Sequence, residues 1–99
     1  MAISKEQQKH LRNIGHNLNP VVTVAGKGLT DGVINEVNRA LNDHELIKIK
    51  VAIVDRELRK QAVAELCKNT KAQVVQEIGK VALLYRVSDK PNLKTSNVR

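Results

Sequence analysis

The residues with the clearest chemical use are four in a row, Ala25-Gly26-Lys27-Gly28. They lie between an apolar, β-branched run, Pro20-Val21-Val22-Thr23-Val24, and a helix start at Leu29-Thr30-Asp31. Glycines let the backbone approach a phosphate closely, and a helix that follows aims free N–H groups at the same spot. Lys27 adds a point charge. The chemistry on offer is anion binding, not bond making. The same residues also fit a plain tight connection between strand and helix, and sequence pattern alone leaves both readings open. The loop is not a Walker A motif, which needs Gly, four residues, then Gly-Lys-Ser/Thr. It is not GxGxxG either, because Gly26-Lys27-Gly28 continues with Leu29, Thr30 and Asp31.

Other reactive residue types lack a working pattern. His10, His16 and His44 do not have metal-ligand spacing, and the single Cys67 cannot complete a set. Cys67 falls on the apolar side of a helix and reads as packing. Asp31 and Asp55 read as helix-start residues. No Ser/His/Asp order or carboxylate pair stands out. The expectation is no catalytic residue, no metal, no cofactor, no small-molecule substrate and no enzymatic activity. One cysteine excludes an intramolecular disulfide and fits a reducing compartment. No apolar run approaches the ~18 residues of a membrane span, and the N-terminus has no signal-peptide stretch. A cytoplasmic protein with no membrane partner is expected.

Seventeen Lys and Arg against ten Asp and Glu give a net charge of +7. That balance suits a polyanion, and equally a solubilising surface. Tyr85 is the only aromatic. Stacking platforms for single strands need more than one ring. A nucleic acid would therefore be held through phosphates and shape.

The elements that must position the loop follow from caps and periodicity. Ser4 and Gln7 form a capping box, Leu11, Ile14 and Leu18 a thin apolar stripe, and Gly15 a stop. Residues 20–25 read as a strand. Thr30 caps a second helix, with Val33, Ile34, Val37, Ala40 and Leu41 at the 3.6 period. Glu45 to Val51 alternates, Ile47, Ile49 and Val51 against Leu46, Lys48 and Lys50. Asp55 caps a third helix with Leu58, Ala62, Val63, Leu66 and Cys67 inward. Residues 72–78 and 81–86 flank Gly79-Lys80, a hairpin signal. The expected fold class is α/β, a two-layer sandwich. An N-terminal helix precedes β-α-β-α-β-β, giving a four-stranded mixed sheet with helices packed on one face. Residues 1–87 form one domain, and 88–99 a flexible polar tail.

In such a sheet the loops after parallel strands gather at the carboxyl edge, where ligands bind. The glycine loop and Asp55-Arg56 should share that edge. Arg56, Arg59 and Lys60 would then neighbour Lys27. If the first helix folds back along the first strand, Lys5 and Lys9, with Arg12 on the same stripe, would join them. A solvated helix face is the competing account of that stripe, and protection from aggregation that of Lys48 and Lys50.

Several blocks also resemble a known family. They are Asn19-Pro20-Val21-Val22, the glycine loop, Gly28-Leu29-Thr30-Asp31-Gly32-Val33, His44-Glu45-Leu46-Ile47-Lys48-Ile49-Lys50-Val51, Asp55-Arg56-Glu57, and Ile78-Gly79-Lys80 through Leu84-Tyr85-Arg86. In order and spacing they look like the bacterial YhbY proteins, stand-alone CRM domains (chloroplast RNA splicing and ribosome maturation). The likeness runs from about Ile3 to Val87. It implies an RNA-binding domain associated with precursors of the large ribosomal subunit. It also implies a fold similar to the C-terminal domain of translation initiation factor three, with an added N-terminal helix. Related domains occur in plant group II intron splicing factors. The family loop is GxxG, likened to the KH-domain loop that clamps a nucleotide backbone. Here its first position is Ala25. The expected RNA-binding set is Ala25, Gly26, Lys27, Gly28 and Thr30, surrounded by Lys5, Lys9, Arg12, Arg56, Arg59 and Lys60. The expected partner is large-subunit rRNA in pre-ribosomal particles, with a role in ribosome assembly. Two rivals remain: a protein–protein adaptor docking through the exposed sheet face, and a general basic nucleic-acid binder.

Overall fold

Three short polar side chains start the three helices. The computed structural model describes residues 3–25, 28–88, 90 and 92–98. Helix α1 is Lys5–Gly15, where Ser4 Oγ accepts from Gln7 N at 3.1 Å. Helix α2 is Asp31–His44, where Thr30 Oγ1 accepts from Val33 N at 3.2 Å. Helix α3 is Arg56–Thr70, where Asp55 Oδ1 accepts from Glu57 N at 2.9 Å and Leu58 N at 3.0 Å. Each cap satisfies N–H groups that the helix itself leaves unpaired.

The strands are β1 (Pro20–Val24), β2 (Leu46–Val51), β3 (Gln73–Ile78) and β4 (Val81–Tyr85). They form one mixed sheet in the order β1-β2-β4-β3. β1 and β2 pair in parallel; β4 is antiparallel to both β2 and β3. β4 thus inserts between β2 and β3, the two strands that the second crossover joins. The hairpin turns at Gly79, which has φ +56°.

Alternation along the strands divides the core. Val22, Val24, Ile47, Ile49, Val51, Ala82 and Leu84 pack against Val37 and Leu41 of α2 and Val63 and Leu66 of α3. This is the two-layer arrangement expected from the sequence. α1 departs from it. Its Leu11 packs with Leu46, Val75, Leu83 and Tyr85, which point the other way. α1 therefore forms a partial third layer on the opposite face. Leu46 is buried beneath it, Lys48 is half-buried and Lys50 is exposed, so that face is covered only toward the start of β2. Gly15 has a different role from the expected stop. The next residue, His16, is right-handed at φ −57°. A Cβ on Gly15 would instead stand 2.5 Å from Leu83 Cδ2, so the absent side chain lets α1 close on the sheet.

Two polar networks hold the helical face. Arg86 Nη1 donates to Asn38 Oδ1 at 2.8 Å and Thr70 O at 2.7 Å. Its Nη2 donates to Asn38 O at 3.0 Å and Asn42 Oδ1 at 2.8 Å. One guanidinium thus ties β4 to α2 and α3, and burial lowers its pKa. The second network involves the segment after β4. Asn97 N donates to His44 O at 2.9 Å and Asn97 Nδ2 to Leu46 O at 2.7 Å. The fully buried Glu45 carboxylate accepts from Ser88 N at 2.9 Å and Ser96 Oγ at 3.0 Å. Glu45 ends α2 at φ 61°, which turns the chain sharply into β2.

Candidate nucleic-acid interface

β1 and β2 end together. Val24 is paired with Val51, and Ala52 N donates to Val24 O at 2.8 Å. Val51 N donates to Lys80 O at 2.6 Å, which brings the hairpin turn to the same place. The carboxyl edge therefore collects three connections: 25–30, 52–55 and Gly79-Lys80.

The two described ends of the glycine loop are tied together, with Gly28 N donating to Ala25 O at 2.9 Å. Gly28 has φ +81°, and a Cβ placed there would meet nothing within 4 Å. Its glycine is needed for conformation and not for space. Ala25 is not among the positive-φ residues, so alanine there carries no left-handed strain. Gly26 and Lys27 lie outside the described residues.

α3 separates two crevices at this edge. Leu58, Gln61, Ala62 and Glu65, at helical i+3 and i+4 spacing, face Gly28, Leu29 and Ile53 across a crevice of about 370 Å³. On the other flank, Arg56, Arg59 and Lys60 face Glu77 and Gly79 across about 550 Å³. Three cations there oppose one carboxylate. Arg59 is already engaged: its Nη1 donates to Ile53 O at 2.9 Å and Val54 O at 3.2 Å. It fastens the 52–55 connection and so positions its exposed neighbours Arg56 and Lys60. The N-terminus of α3 is closed by its own Asp55 carboxylate, so anion affinity on this flank comes from side-chain cations.

The structure thus brings Ala25, Gly28, Thr30, Arg56, Arg59 and Lys60 to one edge. It does not bring Lys5, Lys9 and Arg12 there. Gln8 Nε2 donates to Val75 O at 2.9 Å, which anchors the first half of α1 over β3 on the opposite sheet face. The reason is the burial of Leu11 against Val75 and Tyr85, which turns α1 across the strands instead of along β1.

Sequence reasoning missed three residues of the edge. Leu58 is 56% exposed beside Gly28 and Leu29, and Val54 is 85% exposed in the 52–55 connection. Leu58 has helical spacing with Ala62, so pattern alone reads it as core. Lys80 was findable, since a hairpin that pairs its second strand with β2 must turn beside the end of β2. Cys67 packs against the core of the helical face. Burial, then the nearby Glu77 charge, pushes its thiol up to about 11, so it is a poor nucleophile. Among the described residues no group of three or more His, Cys, Asp or Glu could hold a metal, and no helix is long and apolar enough to cross a membrane.

Residues 3–86 match the model of the CRS1/YhbY (CRM) domain. The chain belongs to this family. A Pseudomonas aeruginosa protein named "Probable RNA-binding protein" is 51% identical over 98 residues, covering 99% of this chain and 94% of that protein. A Haemophilus influenzae protein named "RNA-binding protein" is 45% identical over 38 residues, 38% of each chain. The solution structure of a hypothetical protein from Staphylococcus aureus superposes with a TM-score of 0.79 at 27% identity, covering 90% of this chain and 93% of that one. The CRM fold of three helices and a four-stranded mixed sheet is therefore shared with an experimentally determined structure.

Proposed function

We propose that this CRM-domain protein binds RNA without catalysing a reaction, and that in the cytoplasm it associates with large-subunit rRNA during ribosome assembly. The observation that carries the binding reading is the meeting of the glycine turn, Arg56, Lys60 and Lys80 on one strand edge. The glycine turn admits a phosphate closely, and the cations neutralise it and its neighbours. With Tyr85 buried, no aromatic ring is offered to the bases. Affinity then depends on phosphates and on salt. The relatives' names support RNA as the polyanion. The ribosomal part rests on the family resemblance.

The test is a salt titration of RNA binding by the full chain. Four phosphate contacts, at Lys27, Arg56, Lys60 and Lys80, give a slope of about −3 in log affinity against log salt. Affinity should fall about fiftyfold from 50 to 200 mM salt. Lys27→Glu should weaken binding and leave the thermal midpoint unchanged. Salt-insensitive binding would contradict the mechanism. Lysate fractionation on a sucrose gradient tests the ribosomal part. Co-migration with large-subunit precursors, lost after RNase, supports it; migration only at the top of the gradient at low salt removes it.

A further inference from the structure

The sheet face that α1 leaves uncovered carries a further groove, of about 230 Å³. Its floor is Ile78, Val81 and Leu83, and its rim is His16, Lys48 and Gln76. Ile78 is 63% exposed on this face. Gln76 pairs with Leu83 and Ile78 with Val81, so all four side chains share the face. Glu77, between them, pairs with Ala82 and points to the helical side. Lys48 and Lys50 are the charges that the strands place here, and no strand residue on this face is acidic. The field over an apolar floor is therefore positive. The groove also borders Gly79-Lys80, the same hairpin that bounds the Arg56–Lys60 crevice on the other face.

We propose that this groove receives one unpaired base of the bound RNA. A base has apolar faces and a hydrogen-bonding edge. Ile78 and Val81 would lie under the face, the Gln76 amide and His16 imidazole would meet the edge, and Lys48 and Lys50 would neutralise the flanking phosphates. The RNA backbone held at the carboxyl edge then turns over the hairpin onto the sheet. The volume falls below the roughly 300–1,000 Å³ of drug-sized pockets, which suits one planar ring and not a folded ligand. This rests on the RNA-binding reading and adds to it a preference: a fully paired duplex has no base to give.

The experiment measures affinity of the full chain for two labelled RNA hairpins that differ only in a single bulged base. Wild type should favour the bulged hairpin by about fivefold, the low end for one side-chain contact to a base edge. The double variant Gln76→Ala/Ile78→Ser should lose that preference and keep its affinity for the paired hairpin. Photo-crosslinking of wild type from 4-thiouridine at the bulge should label the peptide spanning 73–85, a readout independent of any variant's folding. A preference that survives the double variant, or a crosslink elsewhere, overturns the inference while leaving RNA binding intact. A concentration-dependent dimer that Ile78→Ser dissolves, with RNA affinity unchanged, also overturns it and gives the face to a second copy. If wild type binds neither hairpin, the RNA-binding reading itself fails.

Discussion

Arg86 offers a clean separation between cations that hold the fold and those proposed to face RNA. Its guanidinium makes four hydrogen bonds of 2.7–3.0 Å, two to backbone carbonyls and two to asparagine side chains. Thr70 O lies in the last turn of α3, where the helix leaves carbonyls unpaired. A charge-assisted hydrogen bond is worth roughly 1.5–3 kcal/mol, and bonds from one group do not add. Arg86 is half-buried, so water replaces part of the loss. Arg86→Met keeps the stem and removes every donor, and should cost about 2–4 kcal/mol. That is a large share of a typical stability of about 5–15 kcal/mol. For a domain of this size the thermal midpoint should fall by about 10–25 °C. Arg86→Lys should recover less than half, because an ammonium cannot reproduce the planar fork. The assay is thermal unfolding by circular dichroism, paired with RNA binding at a temperature where the variant is folded. RNA affinity should stay within about twofold of wild type. A midpoint shift below about 3 °C would refute the structural assignment. A normal midpoint with lost RNA binding would place Arg86 in the interface instead.

Gly28→Ala should lower stability by about 1–2 kcal/mol through backbone strain alone, since φ is +81° and no atom obstructs a Cβ; RNA affinity should fall with it, and an unchanged melting curve would show that the loop resets freely. Cys67 should react with a thiol reagent at pH 8 about a hundredfold more slowly in the folded than in the denatured protein, because its pKa is raised from 9.0 to about 11. The unfolded thiol then loses its proton first, so stability falls as pH rises from about 9 toward 11. Cys67→Ala should show a shallower fall over that range in denaturant titrations at stepped pH; equal slopes would remove the effect. Ser96→Ala removes a 3.0 Å donor from the buried Glu45 carboxylate and should cost about 1–3 kcal/mol. Faster amide exchange at Asn97 would accompany it, and unchanged protection would mean that Ser96 does not secure the segment.

Local physics made much of this legible in advance. Ser4, Thr30 and Asp55 announce helix starts because capping needs only a short side chain and the next N–H groups. Gly79-Lys80 announces a hairpin, and the β1-α2-β2 unit forces the glycine loop to the carboxyl edge. What escaped depends on contacts between distant residues. Leu46 alternates with two lysines and reads as wet, yet α1 covers it because Leu11 needs a partner. Arg86 reads as one more surface cation until Asn38, Asn42 and Thr70 converge on it. Leu58 has core spacing, but it sits in the first turn of α3, where it borders Gly28 and stays exposed. The segment after β4 is polar because its partners are the polar groups where α2 turns into β2.

The second core cluster also joins the two ends of the chain. Ile3 and Val98 both pack against the patch containing Leu46 and Tyr85. That patch lies at the start of β2, whereas the glycine loop lies beyond the end of its parallel partner. Five residue steps of strand, ~17 Å, separate the two edges. A chain can therefore enter and leave this domain on the side away from its loops. Further domains, or repeated copies threaded like beads, could be fused at either end without crossing the surface that carries the cations. The architecture is a module that can be strung into longer proteins with its loop edge left open.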